Sequence, residues 1–268
     1  MKRLVARTLA VLACLASAGA AVAQRPTRRL EVTSTVRGAV PFDQLVTRLL
    51  DQGVGAAELP VASEAAPLES GVLVQVDARR FLVWDGVTDA VGLPARVASA
   101  LAAHVAAGGA PRVIVAADRR APAGRVLHAI TSGRRAATDA GAFVTLLVSS
   151  QGGLGTWAVL PAPDGRVRAP ADALRLQVEI GAAGGYRASA NPLLATRWSI
   201  SDSASAQTAR GLERFLGSFR EHDPDRKVAV LAVPGDARFA QLAELVGVVR
   251  RHYPIVVLAA AGRSIWLR

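Results

Sequence analysis

The chain has 268 residues, a formal charge of +11 and 51% hydrophobic residues, yet only 4% aromatics and one cysteine. That length supports one or two packed cores, and the lone Cys14, near the start, excludes an internal disulfide and a thiol nucleophile in the rest of the chain. The charge does not signal nucleic acid, because Lys2 and Lys227 are the only lysines, the arginines are scattered, and neither stacking platforms nor a recognition helix accompany them.

Residues 1–23 read as a secretory signal. Met1-Lys2-Arg3 and Arg7 form a positive n-region, Thr8 to Ala20 an apolar stretch, and Ala21-Val22-Ala23 a small-residue cleavage site before Gln24. The apolar run is shorter than the ~20 residues that span a bilayer. Two rivals stay open: lipidation of Cys14 within the lipobox-like Val11-Leu12-Ala13-Cys14, and an uncleaved short anchor. All three place the remainder outside the cytoplasm, with the periplasm as the expected location. Membrane contact follows only from the last two. Losing Lys2, Arg3 and Arg7 lowers the charge from +11 to +8, enough for a mild attraction to anionic envelope polymers and no more.

Residues 24–56 read as a tether followed by a short helix. Gln24 to Val40 is basic and polar, with one short strand at Leu30–Val36. Phe42, Leu45, Val46, Leu49 and Leu50 then recur at helical spacing until Gly53 and Gly55 stop them.

From residue 57 to 160 the pattern predicts a first α/β unit. Val72–Asp77 alternates and pairs with Phe81–Trp84 as a hairpin. Gly92–Ala107 is helical, with Val97, Leu101 and Val105 as its stripe. Arg112–Ala117 reads as a central strand, and a helix begins near Pro122 with Val126, Leu127 and Ile130 buried. Strands follow at Phe143–Val148 and Thr156–Leu160. Residues 161–173, rich in proline with an Asp164-Gly165 turn, predict a linker.

Residues 174–268 repeat the order. Leu174–Ile180 and Tyr186–Ala190 predict a hairpin, and Ser203 or Ser205 would cap a helix striped by Leu212, Phe215, Leu216 and Phe219. A strand at Lys227–Val233, a helix from Phe239 to Tyr253 and a strand at Ile255–Leu258 complete it. Each copy closes on a strand bearing a tryptophan, Trp157 or Trp266. The expected fold is therefore α/β, two-layered, as two tandem ββαβαβ units, each a small sheet covered by two helices.

Catalytic chemistry is not legible. His104, His128, His222 and His252 are far apart, and no His-Glu-x-x-His, cysteine cluster or Gly-x-Ser-x-Gly occurs. Gly181 to Gly185 lacks a P-loop lysine and reads as a hairpin turn. No cofactor or metal is expected. Asp118 ends a strand and precedes Pro122, where a carboxylate accepts backbone N–H bonds as a cap or turn residue. Asp236 is read as its counterpart in the second copy. Arg119, Arg120, Arg134 and Arg135 are the densest basic cluster in the first copy and the candidate partner-binding residues.

Glu58-Leu59-Pro60, the Val72–Asp77 and Phe81–Trp84 hairpin, Val113-Ile114-Val115-Ala116-Ala117-Asp118-Arg119, Val126 and Gly141-Ala142-Phe143 follow in the order of ExbD/TolR biopolymer-transport periplasmic domains, which this stretch resembles. The second copy is similar in element order and only faintly in residues. The resemblance implies a non-enzymatic periplasmic binding or scaffolding module of a transport or energy-transduction system. Its partners would be an envelope protein, an extended peptide segment or peptidoglycan. The two copies would form an intramolecular pseudo-dimer, with strand addition at a sheet edge as the binding mode. Members of that family carry a proton-handling aspartate in a membrane helix, whereas residues 1–23 hold no acidic side chain, so a proton-driven role does not carry over. Two rivals come from other classes: an orphan periplasmic enzyme using Asp118 with a nearby arginine, and a ligand-binding lipoprotein held through Cys14.

Overall fold

The computed structural model describes residues 41–55, 58–62, 65–84, 86–138, 143–162, 172–181 and 184–261. All of them fall within the unit Ser34–Arg268. The strand expected at Leu30–Val36, most of the linker and the Trp266 strand lie outside the described residues. No helix among the described residues is long and apolar enough to cross a membrane.

Fourteen strands and six α-helices alternate among the described residues. Strands β1 (Val61–Ala62), β2 (Ala66–Pro67), β3 (Val72–Val76), β4 (Phe81–Val83), β5 (Gly86–Thr88), β6 (Arg112–Ala117), β7 (Phe143–Ser150) and β8 (Gly153–Ala158) build the first sheet. Its order is β2-β8-β7-β6-β3-β4-β5, with β1 alongside β7. Strands β9 (Leu160–Pro161), β10 (Gln177–Ile180), β11 (Tyr186–Ser189), β12 (Ser203–Ala206), β13 (Val228–Val233) and β14 (Ile255–Ala260) build the second, in the order β12-β11-β10-β13-β14-β9. The helices are α1 (Phe42–Gln52), α2 (Leu93–Ala106), α3 (Ala123–Thr138), α4 (Pro192–Arg197), α5 (Glu213–His222) and α6 (Phe239–Arg250).

The two halves share connectivity and register. The run β7-β6-β3-β4-β5 in one sheet matches β14-β13-β10-β11-β12 in the other, with the same parallel centre and the same antiparallel meander. Arg112 faces Phe143 as Val228 faces Ile255, and Val74 faces Val83 as Val178 faces Ala188. Helices α2 and α3 occupy the crossovers that α5 and α6 occupy in the second half. Each half also has a third meander strand, β5 or β12, beyond the expected hairpin.

The halves are not separate bodies. One apolar cluster runs from Val72, Val74 and Val76 through Ile130 and Leu245 to Val256 and Leu258. The segment from Gly153 to Pro161 also serves both sheets. Its first part pairs antiparallel with β7, and Leu160–Pro161 pairs parallel with β14. Trp157, 3% exposed, packs from β8 against Gly247 of α6.

The sheets differ on their outer faces. Helix α1 covers that of the first, burying Val46, Leu49 and Leu50 against Leu73, Ile114, Ala116 and Leu147. The buried Gln75 satisfies the end of α1 there. Its Nε2 donates to Leu49 O at 3.1 Å, and its Oε1 accepts the Val54 N–H at 3.0 Å. A helix C-terminus leaves carbonyls unpaired, so a polar residue inside an otherwise apolar strand has a structural cause.

Two local expectations are corrected. Ser203 and Ser205 do not cap a helix, because they lie in β12. The 3-10 turn Ala209–Leu212 leads into α5 instead, and Thr208 caps that turn by accepting the Gly211 N–H at 3.2 Å. Asp236 is not the positional counterpart of Asp118. Strands β6 and β13 end at Ala117 and Val233, so Pro234 occupies the position of Asp118 and Asp236 that of Arg120.

Candidate functional site

The turns that follow β6 and β13 meet each other. Ala123 N donates to Ala237 O at 2.7 Å and Phe239 N to Ala121 O at 2.8 Å. Gly124 N donates to Gly235 O at 3.0 Å and Ala240 N to Arg119 O at 3.0 Å. By the shared register, Ala123 is equivalent to Phe239 and Ala121 to Ala237, so each bond has its mirror in the other half. Pro122 and Arg238 form an antiparallel bridge between the two pairs. The first N–H groups of a helix have no partner within it. Here each half caps the helix of the other.

Asp118 sits beside this junction as a turn residue. Its Oδ1 accepts the Arg120 N–H at 2.6 Å, and its carbonyl accepts the Ala121 N–H at 2.9 Å. Asp77, in the adjacent hairpin turn, acts likewise. Burial pushes its carboxyl up, but bonds from Arg79 N–H and from the side chain and N–H of Arg80 outweigh that and hold it below the usual carboxylate range. Asp236 is exposed in its turn.

The structure divides the basic cluster. Arg119 and Arg120 are exposed at the start of α3, and Arg134 and Arg135 at its far end. The eleven residues of helical rise from Ala123 to Arg134 alone put about 17 Å between the two pairs. They are two pairs and not one patch.

The histidines also remain apart in their roles. His128 Nε2 lies 2.8 Å from Ala90 O, and His222 Nδ1 lies 2.8 Å from Ser218 O while its ring stacks on Trp198. Burial lowers the pKa of His104 and of His252, the latter against the pull of Glu213. Among the described residues, no group of three or more metal-binding side chains comes together.

What the sequence reading missed is an edge left open among the described residues. There, strand β12 pairs only with β11 and ends its sheet. Ala190 N donates to Asp202 O at 2.9 Å, which makes that opposed pair hydrogen-bonded. Alternation along an antiparallel ladder then turns Ala204 and Ala206 towards β11, and the backbone groups of Ser203 and Ser205 outward. The Ser201 hydroxyl already sits on those of Ser203, donating to its carbonyl at 2.7 Å and accepting its N–H at 3.4 Å, so Ser205 presents the open pair among the described residues. From Ser203 to Ala206 the edge carries neither proline nor charge, the usual devices that discourage pairing, and Asp202 stands just before it. The equivalent edge β5 is shorter, and the Arg96 guanidinium lies against Gly86 there. The strict alternation Ser203-Ala204-Ser205-Ala206 is a period-two signal that could have revealed the strand.

Beside the end of β12 a cleft of about 690 Å³ opens, lined among others by Glu179, Gly184, Gly185, Arg187, Ser205 and Gln207. Compared with family models, curated proteins and solved structures, the protein matches none.

Proposed function

We propose that this protein is a non-enzymatic component of a bacterial envelope system, an ExbD/TolR-like binding or scaffolding module acting in the periplasm. In this reading its two halves form an intramolecular pseudo-dimer, and the β12 edge takes up an extended segment of an envelope protein. The observation that carries the reading is the edge Ser203–Ala206, with the outward backbone groups of Ser205 open among the described residues and those of Ser203 held only by the Ser201 hydroxyl. Backbone hydrogen bonds at such an edge supply affinity without a deep pocket. The reciprocal capping of α3 and α6 supports the pseudo-dimer, since each half supplies what a second subunit would otherwise provide. Periplasmic placement rests on residues 1–23, and an intact mass beginning at Gln24 is the expected sign of export.

Proline at an edge position whose N–H faces solvent leaves a sheet's own ladder intact. Ser205→Pro should therefore melt within a few degrees of the parent protein while losing capture of extended peptides. Undiminished peptide binding by a folded Ser205→Pro variant would remove β12 as the docking edge.

A further inference from the structure

Arg187 stands one strand in from the β12 edge, directly opposite Ser205 on one side and Glu179 on the other. These three form one row on a single face of the sheet. The Arg187 side chain is exposed and makes no ion pair or hydrogen bond with any described residue, although a carboxylate is its cross-strand neighbour. Glu179 is likewise unpaired among the described residues.

Neighbouring strands lie about 4.8 Å apart. A segment added at β12 would run about 10 Å from the Arg187 backbone and about 14 Å from that of Glu179. An extended arginine side chain reaches about 6 Å and a glutamate about 4 Å. Together they close the 10 Å gap over the short Ser205 side chain. With about 3 Å more for the N–H···O contact itself, that pair has slack, whereas Glu179 and an incoming lysine, with the same summed reach, still fall about 1–2 Å short of theirs. The row thus discriminates by reach. It offers an incoming strand a cation and withholds the anion.

We propose that the segment added at β12 presents a carboxylate on the Ser205 face, held by the Arg187 guanidinium, an inference that rests on the docking-edge reading above. The carboxylate is an acidic side chain within the segment, because Arg187 stands opposite Ser205, inside β12 and not beyond its end.

The test uses the purified full-length protein to select random heptapeptides displayed in two arms, one flanked on both sides and one with a free C-terminus. Selection of Asp or Glu at one fixed alternating position in the flanked arm supports the side chain. Selection confined to the free-ended arm overturns the side chain. Replacing the selected carboxylate by its amide should weaken binding about two- to fivefold, the range an exposed ion pair supplies, and should change nothing in an Arg187→Gln variant. An Arg187→Glu variant should select Lys or Arg in place of the acid. Peptides that bind with no preferred carboxylate, yet are lost with Ser205→Pro, overturn the carboxylate and leave the docking edge standing. Peptides indifferent to Ser205→Pro, or no enrichment in either arm, overturn both.

Discussion

Gly124 and Gly235 touch each other across the junction, yet they should respond oppositely to substitution. A Cβ added at Gly124 would lie 3.0 Å from both Gly235 Cα and Gly235 O. That is about 0.5 Å inside the optimal carbon contact, and its obstacle is backbone held by two pairs of hydrogen bonds. In an ordinary helix, Gly124→Val would gain about 0.4 kcal/mol of propensity. Here overpacking costs about 1–3 kcal/mol, and displacing α3 sacrifices about 1 kcal/mol for each of the bonds to Ala237 O and Gly235 O. The expected net loss is about 3–5 kcal/mol. A Cβ at Gly235, by contrast, meets nothing within 4 Å, so Gly235→Ala should be neutral or stabilise by about 0.4–1 kcal/mol through the unfolded state. Urea unfolding followed by tryptophan fluorescence measures both, and the shared core implies one transition. A Gly124→Val variant within about 0.5 kcal/mol of the parent, the usual surface tolerance, would show that the two turns do not bear on each other.

Three further outcomes are expected. Gln75→Leu strands the Val54 N–H and the Leu49 carbonyl in a buried site and should cost about 2–4 kcal/mol, with faster amide exchange along α1; unchanged exchange there would contradict the capping role. Asp118→Asn keeps the acceptor for Arg120 N–H and should melt as the parent does, whereas Asp118→Ala should lose about 1 kcal/mol; equal melts for the two variants would count against a turn role. Burial, aided by the bond to Glu244, pushes the Tyr186 phenol up to about 12, and burial raises Tyr253 further. The folded state thus favours neutral phenols. This stabilisation is complete below about pH 10, the unfolded tyrosine value, and is lost as pH rises through about 12. With only two tyrosines in the sequence, phenolate absorbance should stay flat through about pH 10.5, within the ordinary tyrosine titration. A normal titration step there would show an open site.

The type and order of the central elements were legible because they follow from local periodicity, whereas β5, β12 and α4 were not read. Val72–Val76 and Arg112–Ala117 could only be strands of a buried sheet, Leu93–Ala106 could only be a helix, and the repetition of the series foretold the shared topology. Side-chain function was not legible, for a physical reason visible at three places. Gln75 fell in with the alternation of Val72–Asp77, and its buried role stayed hidden because its partners, Leu49 and Val54, lie more than twenty residues upstream. Arg119, Arg120, Arg134 and Arg135 looked like one cluster because sequence proximity hides the rise of the helix between them. Ser203 and Ser205 looked like caps because serine's local hydrogen bonding favours helix starts, while pairing with β11 is a contact that closes only on folding. Local backbone preference is written in neighbouring residues. Which backbone groups stay free, and which arginine stands beside them, depends on where distant strands stop pairing, and only the tertiary structure decides that.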